Sequence, residues 1–224
     1  MLFDIDGTLL YGGGAGRRAI VRVFAERWGR GDVFDDMRFH GMTDRGIVRR
    51  GLERAALRCD EAIIDDLCAA YLVALADEVP RATGFRLYPG VVELLDGLAD
   101  VAGIAVGLGT GNLREGARLK VAHARIDHHF RFGGYGCDHE ERATLLRVGA
   151  GRGADLLGVR PDGCRIVVVG DTPNDVAAAH AIGAESVTVE TSGFTAAVLL
   201  AAGATRAFST LADAAVRAAI VGEA

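Results

Sequence analysis

Lysine is all but missing from this chain: of its 25 basic residues, Lys120 is the single lysine and the other 24 are arginines. Such a bias reads first as coding composition. There is no basic excess either. Thirty acidic residues outnumber the bases, the net charge is -5, and the two signs are well mixed. A nucleic-acid partner, which normally demands a basic surface, is therefore not expected. Cysteine is scarce: Cys59, Cys68, Cys137 and Cys164 are scattered with no Cys-x-x-Cys spacing, and no His-Glu-x-x-His occurs. That speaks against zinc and against a disulfide framework, and for free thiols in a reducing compartment. No apolar run approaches the ~18 residues of a membrane span, and no signal peptide precedes the first polar motif. No membrane partner is expected, and the expected location is cytoplasmic. What remains is a 224-residue chain, half of it apolar, long enough for one large core or a core with a small second unit. Monomer and homodimer are both compatible with it.

What the chain does have is carboxylates at strand ends. Met1, Leu2 and Phe3 lead into Asp4-Ile5-Asp6-Gly7-Thr8-Leu9-Leu10. Strand alternation points Asp4 and Asp6 to one face, and Gly7 turns the backbone around them. A buried strand end gains little from two adjacent negative charges; a bound cation and a nucleophilic role explain them better. In isolation, a solvated acidic turn would be the simpler reading. Only three residues precede the pair, against about five or six in an ordinary strand. Either the first strand is very short or the true start lies upstream.

Glycines at 12–14 and 16 then mark a turn. Ile20, Val23, Phe24 and Trp28 follow helical spacing, a second helix is expected over about 45–56, and Ile64, Leu67, Cys68, Tyr71 and Leu75 line a third. From Leu87 the pattern changes. Apolar β-type runs at 104–108, 130–135, 166–169, 186–189 and 207–208 alternate with helices at about 91–98, 113–124, 140–157, 176–182, 196–200 and from 211. Such alternation gives βαβ units and a parallel sheet covered on both faces. The expected fold is α/β: a Rossmann-like, doubly wound parallel sheet core built from residues 1–10 and 87–224, with an all-helical cap domain, residues 11–86, inserted after the first strand.

Ligands of such sheets bind beyond the carboxyl ends of the strands. The Asp4/Asp6 pair ends the first strand. Thr110-Gly111-Asn112 follows the 104–108 run, and Gly170-Asp171-Thr172-Pro173-Asn174-Asp175 follows the 166–169 run. Each has a plain reading: a turn and cap for Thr-Gly-Asn, an N-cap for Asp171-Thr172, a first-turn acid for Asp175. Three polar clusters at three strand ends make a site. Asp4, Asp6, Asp171 and Asp175 offer hard oxygens suited to Mg²⁺. Thr110 offers a hydroxyl, and the N–H groups of Gly111 and Asn112 precede a helix, where an anion is stabilised. A divalent cation facing an anion cradle is a phosphoryl-transfer arrangement.

These motifs resemble the haloacid dehalogenase superfamily, in particular its phosphoglycolate-phosphatase-like branch with a helical cap, and the resemblance spans essentially the whole chain. Phe3-Asp4-Ile5-Asp6-Gly7-Thr8-Leu9 resembles the family's first motif, Thr110-Gly111-Asn112 the second, Gly170 to Asp175 the fourth, and Tyr88-Pro89-Gly90-Val91 the return from cap to core. The resemblance implies that Asp4 is a nucleophile forming an aspartyl-phosphate and that Asp6 is general acid and then base. It implies Mg²⁺ on Asp4, Asp171 and the Asp6 carbonyl, with Asp175 in support, and Thr110 on a phosphoryl oxygen. The third motif departs from the family pattern, in which a lysine stands before a helix. Arg142, in His139-Glu140-Glu141-Arg142, is the expected replacement cation. Lys120 is its rival, but it lies two helical turns past Asn112, roughly 12 Å further on, and a solvated helix face is its expected place.

The cap would select the substrate. Between Arg17 and Arg58 it holds eleven arginines against six acids, a field expected to attract a small anionic phosphorylated metabolite. Arg17, Thr43 and Asp44 are the expected substrate contacts. His40, His128, His129 and His139 show no metal spacing. The leading function is a Mg²⁺-dependent phosphatase. A carbon–halogen hydrolase of the same fold would lack the second carboxylate, Asp6. A phosphomutase would tend to have an apolar residue in place of Thr8. A non-catalytic phospho-ligand-binding relative should have lost Asp4, Asp6 or Asp171.

Overall fold

The computed structural model describes residues 1–222. Its centre is a six-stranded sheet, with every neighbouring pair parallel, in the order β5-β4-β1-β6-β7-β8. The strands are β1 (Leu2–Phe3), β4 (Gly107–Thr110), β5 (Gly133–Tyr135), β6 (Val167–Gly170), β7 (Glu185–Val189) and β8 (Arg206–Phe208). β1 is indeed short, two residues, yet it pairs with β4 on one side and β6 on the other. The ladder runs one residue further, because the Asp4 N–H donates to the Val169 carbonyl at 2.9 Å. The nucleophile candidate is thus hydrogen-bonded into the sheet rim.

Alternation sends side chains of one strand to both faces. Phe3, Val167, Val169 and Val187 pack with Leu94, Leu98, Val121 and Ile220 of α4 (Val91–Ala99), α5 (Arg114–His123) and α9 (Ala214–Val221). Leu2 and Val168 pack on the other face with Leu145, Leu146, Ala178 and Ala179 of α6 (Arg142–Leu157) and α7 (Pro173–Ala181). A sixth helix of this part, α8 (Ala196–Ala201), packs through Leu199 against Val176. The sheet is therefore apolar on both faces, which is why β6 reads as an unbroken Val-Val-Val run.

Between β1 and the rest lies a helical unit of α1 (Ala15–Trp28), α2 (Asp44–Arg54) and α3 (Glu61–Glu78). It has its own core of Phe24, Phe34, Leu52, Ile64, Leu67 and Leu75. The chain enters it through β2 (Leu10–Tyr11) and leaves through β3 (Arg86–Leu87), which pair antiparallel with Leu10 opposite Leu87. Two-residue strands carry no periodic signal, and this ribbon was not expected.

The main displacement from the sequence expectation is β4, which lies at 107–110 and not at 104–108. A β-carbon on Gly107 would come 2.6 Å from the Phe132 ring, and one on Gly109 would come 2.6 Å from Leu146 and 2.9 Å from Leu2. Close approach of neighbours selects glycine here and outweighs the β-propensity of the preceding Ile104-Ala105-Val106. Caps explain the other shifts. α6 begins at Arg142 because the Glu141 side chain accepts from the Thr144 N–H. α7 begins at Pro173 behind a Thr172/Asp175 capping box, and α9 begins behind Asp213.

Candidate active site

Asp4 and Asp171 follow the ends of β1 and β6, Asp175 lies in the first turn of α7, and carboxylate oxygens of the three lie within 4.8 Å of one another. All three are buried. Burial, with Asp175 and Asp6 nearby, raises the Asp4 pKa to about 6 against the opposing pull of Arg142. Burial and the charges of Asp175 and Asp4 raise Asp171 well above the carboxylate range, although Ser192 and Thr8 donate hydrogen bonds to it. A buried triad of hard oxygens, two of which resist ionisation, fits a divalent cation, which would reverse that cost. Asp171 is held in place: Oδ1 accepts from Thr8 Oγ1 at 2.6 Å and Oδ2 from Ser192 Oγ. Asp175 is mostly spent on support. Its Oδ2 accepts from the Asp171 and Thr172 N–H groups at 3.2 and 3.0 Å, closing the cap of α7. The plain reading of Asp175 and its grouping with the other carboxylates are both realised.

Arg142, the first residue of α6, faces this triad. Its Nη2 lies 3.1 Å from Asp4 Oδ2 and 2.5 Å from Asp175 Oδ1. Burial opposes its charge, but Asp175 and Asp4 outweigh that and raise its pKa. Nη2 is thus engaged by both carboxylates, while Nε is buried with no partner. A buried donor left so is costly unless an acceptor arrives.

Lys120 corrects the sequence expectation. It is 4 % exposed, not on a solvated face. Its Nζ lies 2.5 Å from Asp6 Oδ2 and 2.6 Å from Asn112 Oδ1. Counting residues along α5 measured the backbone alone, whereas a helical side chain leans back toward the N-terminus and a lysine is long enough to regain the lost turns. Asn112 closes the clamp: its Nδ2 donates to Asp6 Oδ2 and to Thr110 Oγ1, both at 2.8 Å. Both contacts to Asp6 use Oδ2. Thr110 is the buried last residue of β4. Of the backbone N–H groups expected to cradle an anion, those of Gly111 and Asn112, the second donates to Thr110 Oγ1; the next along, Leu113 N, donates to Asp44 Oδ2.

Above this rim a cavity of about 480 Å³ opens beneath the helical unit. Gly111 sits where the two parts touch. Its carbonyl accepts from the Asp44 N–H at 2.8 Å, and a β-carbon on it would strike the Met42 carbonyl. Asp44 lines the cavity while binding the start of α5. Burial raises its pKa to about 6, against Lys120 and the Leu113 N–H. Thr43 does not line that cavity; it caps α2 by accepting from Gly46 N at 3.2 Å. Arg17 lines it, but its guanidinium donates to the Phe34 carbonyl at 2.7 Å and to the Met37 carbonyl, and lies 4.0 Å over the Phe39 ring.

The positive field expected of the helical unit is offset. Arg18 pairs with Glu78, Arg27 with Asp66, Arg45 with Glu61 and Asp65, and Arg49 with Glu61 and Glu140. Over residues 11–86 there are 13 arginines against 12 acids. The count from Arg17 to Arg58 stopped short of the acids on α3.

Sequence reasoning missed Ser192 altogether, and it foresaw neither the Thr8 hydroxyl on Asp171 nor the bond from Leu113 N to Asp44, which was expected only as a substrate contact. Ser192 was within reach of the strand-end rule, being three residues past β7. It also missed a second grouping, Asp96 with His128 and His129, whose ligand atoms lie within 4.8 Å of one another on the surface. His spacing alone could not bring in Asp96.

Comparison with known proteins gives one family and one fold. Residues 1–183 match the model of the haloacid dehalogenase-like hydrolases. No curated protein sequence matches the chain. Among solved structures, CbbY from Rhodobacter sphaeroides in complex with phosphate is 21 % identical, with a TM-score of 0.70 over 95 % of this chain and 94 % of that one. A CbbY mutant in complex with xylulose-(1,5)bisphosphate gives 21 % identity and a TM-score of 0.69 over the same shares. A predicted phosphoglycolate phosphatase from Haemophilus somnus is 20 % identical, with a TM-score of 0.65 over 94 % of this chain and 93 % of that one.

Proposed function

Because the chain belongs to the haloacid dehalogenase-like hydrolases, we propose that it is a Mg²⁺-dependent phosphatase acting on small phosphate monoesters through an aspartyl-phosphate on Asp4. The observation that carries this reading is the pairing of a buried three-carboxylate cluster with a buried arginine, Arg142, whose Nε has no partner. A phosphoryl group seated against Asp4 would supply the missing acceptor. Phosphate and a bisphosphate in the CbbY complexes are ligands of that kind.

Asp4, Asp171 and the Asp6 carbonyl would hold Mg²⁺, with Asp175 in support. When bound, the ion neutralises charge on the nucleophile and the phosphoryl oxygens. An Asp4 carboxylate oxygen attacks phosphorus, and the bond from phosphorus to the ester oxygen breaks. Asp6 gives its proton to the departing oxygen. Asp6, now a carboxylate, takes a proton from water, whose oxygen attacks phosphorus; the Asp4–phosphorus bond breaks and inorganic phosphate leaves. Lys120 and Asn112 fix Oδ2 of Asp6, which leaves Oδ1 to carry the proton. Thr110 Oγ1 and Arg142 hold phosphoryl oxygens. Gly111 serves by admitting the helical unit close to the rim.

In this reading residues 11–86 form the cap domain and residues 1–10 with 87–224 the core domain, and the Asp44 contacts hold the cap down. The test is turnover of p-nitrophenyl phosphate: hydrolysis with Mg²⁺, none with EDTA, and none in Asp4→Asn. Equal rates in Asp4→Asn and the parent would discard the nucleophile.

A further inference from the structure

Much of the cavity wall is apolar. Ile20, Phe39, Met42, Ile47, Val48 and Tyr71 line it. Among the described residues, three permanent cations reach the cavity, and each is committed. Arg142 faces Asp4 and Asp175 at the phosphoryl end. Lys120 is spent on Asp6 and Asn112. Arg17 is spent on the carbonyls of Phe34 and Met37 and on the Phe39 ring. His40 is the remaining titratable base, exposed on this wall. Two carboxylates, Asp6 and Asp44, also line the cavity, and Tyr71 Oη donates to Asp44 Oδ1 at 3.4 Å. The N-terminus of α1, at Gly14 to Arg17, also borders the cavity. A helix end supplies about half a charge, far short of the bidentate, fully charged grip an arginine gives a carboxylate or phosphate.

Resting on the phosphatase reading, we infer that the substrate is a phosphate monoester with an uncharged, apolar leaving group, such as an aryl or arylalkyl alcohol, and not one bearing a carboxylate or a second phosphate. An apolar body gains from leaving water against this wall. A second anion would lose hydration, meet no free arginine or lysine, and face Asp6 and Asp44.

The experiment compares benzyl phosphate with 2-phosphoglycolate at fixed Mg²⁺. Both release a primary alkoxide of similar basicity, so recognition decides the outcome. The expected result is a kcat/KM at least about tenfold higher for benzyl phosphate. Equal values, or a preference for phosphoglycolate, overturn the inference. A binding arm keeps it separable from the phosphatase reading: calorimetry on Asp4→Asn with the same two compounds, expecting at least about tenfold tighter binding of benzyl phosphate. If no compound is turned over but that preference holds, the chemistry is wrong and the pocket assignment stands; if the binding order reverses, the pocket assignment fails. Met42→Arg adds a free cation to the wall and should move the ratio toward phosphoglycolate. An unchanged ratio in a folded Met42→Arg protein also counts against the inference.

Discussion

The helical unit and the sheet rim are both rich in arginine–carboxylate pairs, but the pairs answer to different physics. In the helical unit the partners are largely in water: Arg18 and Glu78 keep side-chain exposures of 45 % and 18 %, and Arg27 and Asp66 of 36 % and 60 %. At the rim, Arg142 and Asp175 keep 9 % and 1 %. Pairs in water return little, because screening and side-chain entropy absorb the attraction. Buried pairs are expensive to assemble and more expensive to break. The first set keeps a helical surface soluble and nearly neutral. The second holds net negative charge out of water, a state stable only if something positive completes it.

The largest expected effect follows from breaking the buried set. Arg142→Met leaves Asp4 and Asp175 without their cation, and such losses cost about 3–5 kcal/mol. Urea denaturation at pH 7 should show it, together with loss of turnover. A change below about 1 kcal/mol would mean the rim is as forgiving as the surface. Next comes Lys120→Met, which frees Asp6. With Asp6 loose, kcat for an alkyl phosphate should fall about 100-fold, and less for p-nitrophenyl phosphate, whose leaving group needs no proton. Equal losses on both substrates would show that Lys120 does not act through Asp6.

A third test uses pH. The folded-state pKa of Asp4 is raised to about 6 from 3.8, and that of Asp44 likewise to about 6. Between those values the folded chain binds more protons than the unfolded one, so metal-free stability falls as pH rises from about 4 through 6. Mg²⁺ should therefore raise Tm more at pH 7.5 than at pH 5, where it must displace protons. Thermal shifts of equal size at both pH values would contradict this. The smallest effect belongs to the surface: Arg18→Ala should cost less than about 1 kcal/mol, and a larger loss in urea would erase the contrast between the two regions.

How much of this was legible in the sequence varies with the kind of signal. Asp4, Thr110 and Asp171 could be read because each follows an apolar run at a strand end, and the parallel sheet gathers such ends on one rim. Lys120 was misread because residue spacing along a helix says nothing of where a long side chain returns. The charge of the helical unit was misjudged because its acids lie on α3, past the window that held the arginines. The bonds from Thr8 to Asp171 and from Leu113 N to Asp44 join segments far apart in the chain, which no local pattern announces. The β2–β3 ribbon is too short to have a period.

That ribbon has a wider meaning. Leu10–Tyr11 and Arg86–Leu87 lie side by side, so everything between them departs from and rejoins the sheet at a single doorway. Strand order in the sheet is indifferent to what hangs there. An insert hung from such a doorway can lengthen or shrink without disturbing the order of the six strands.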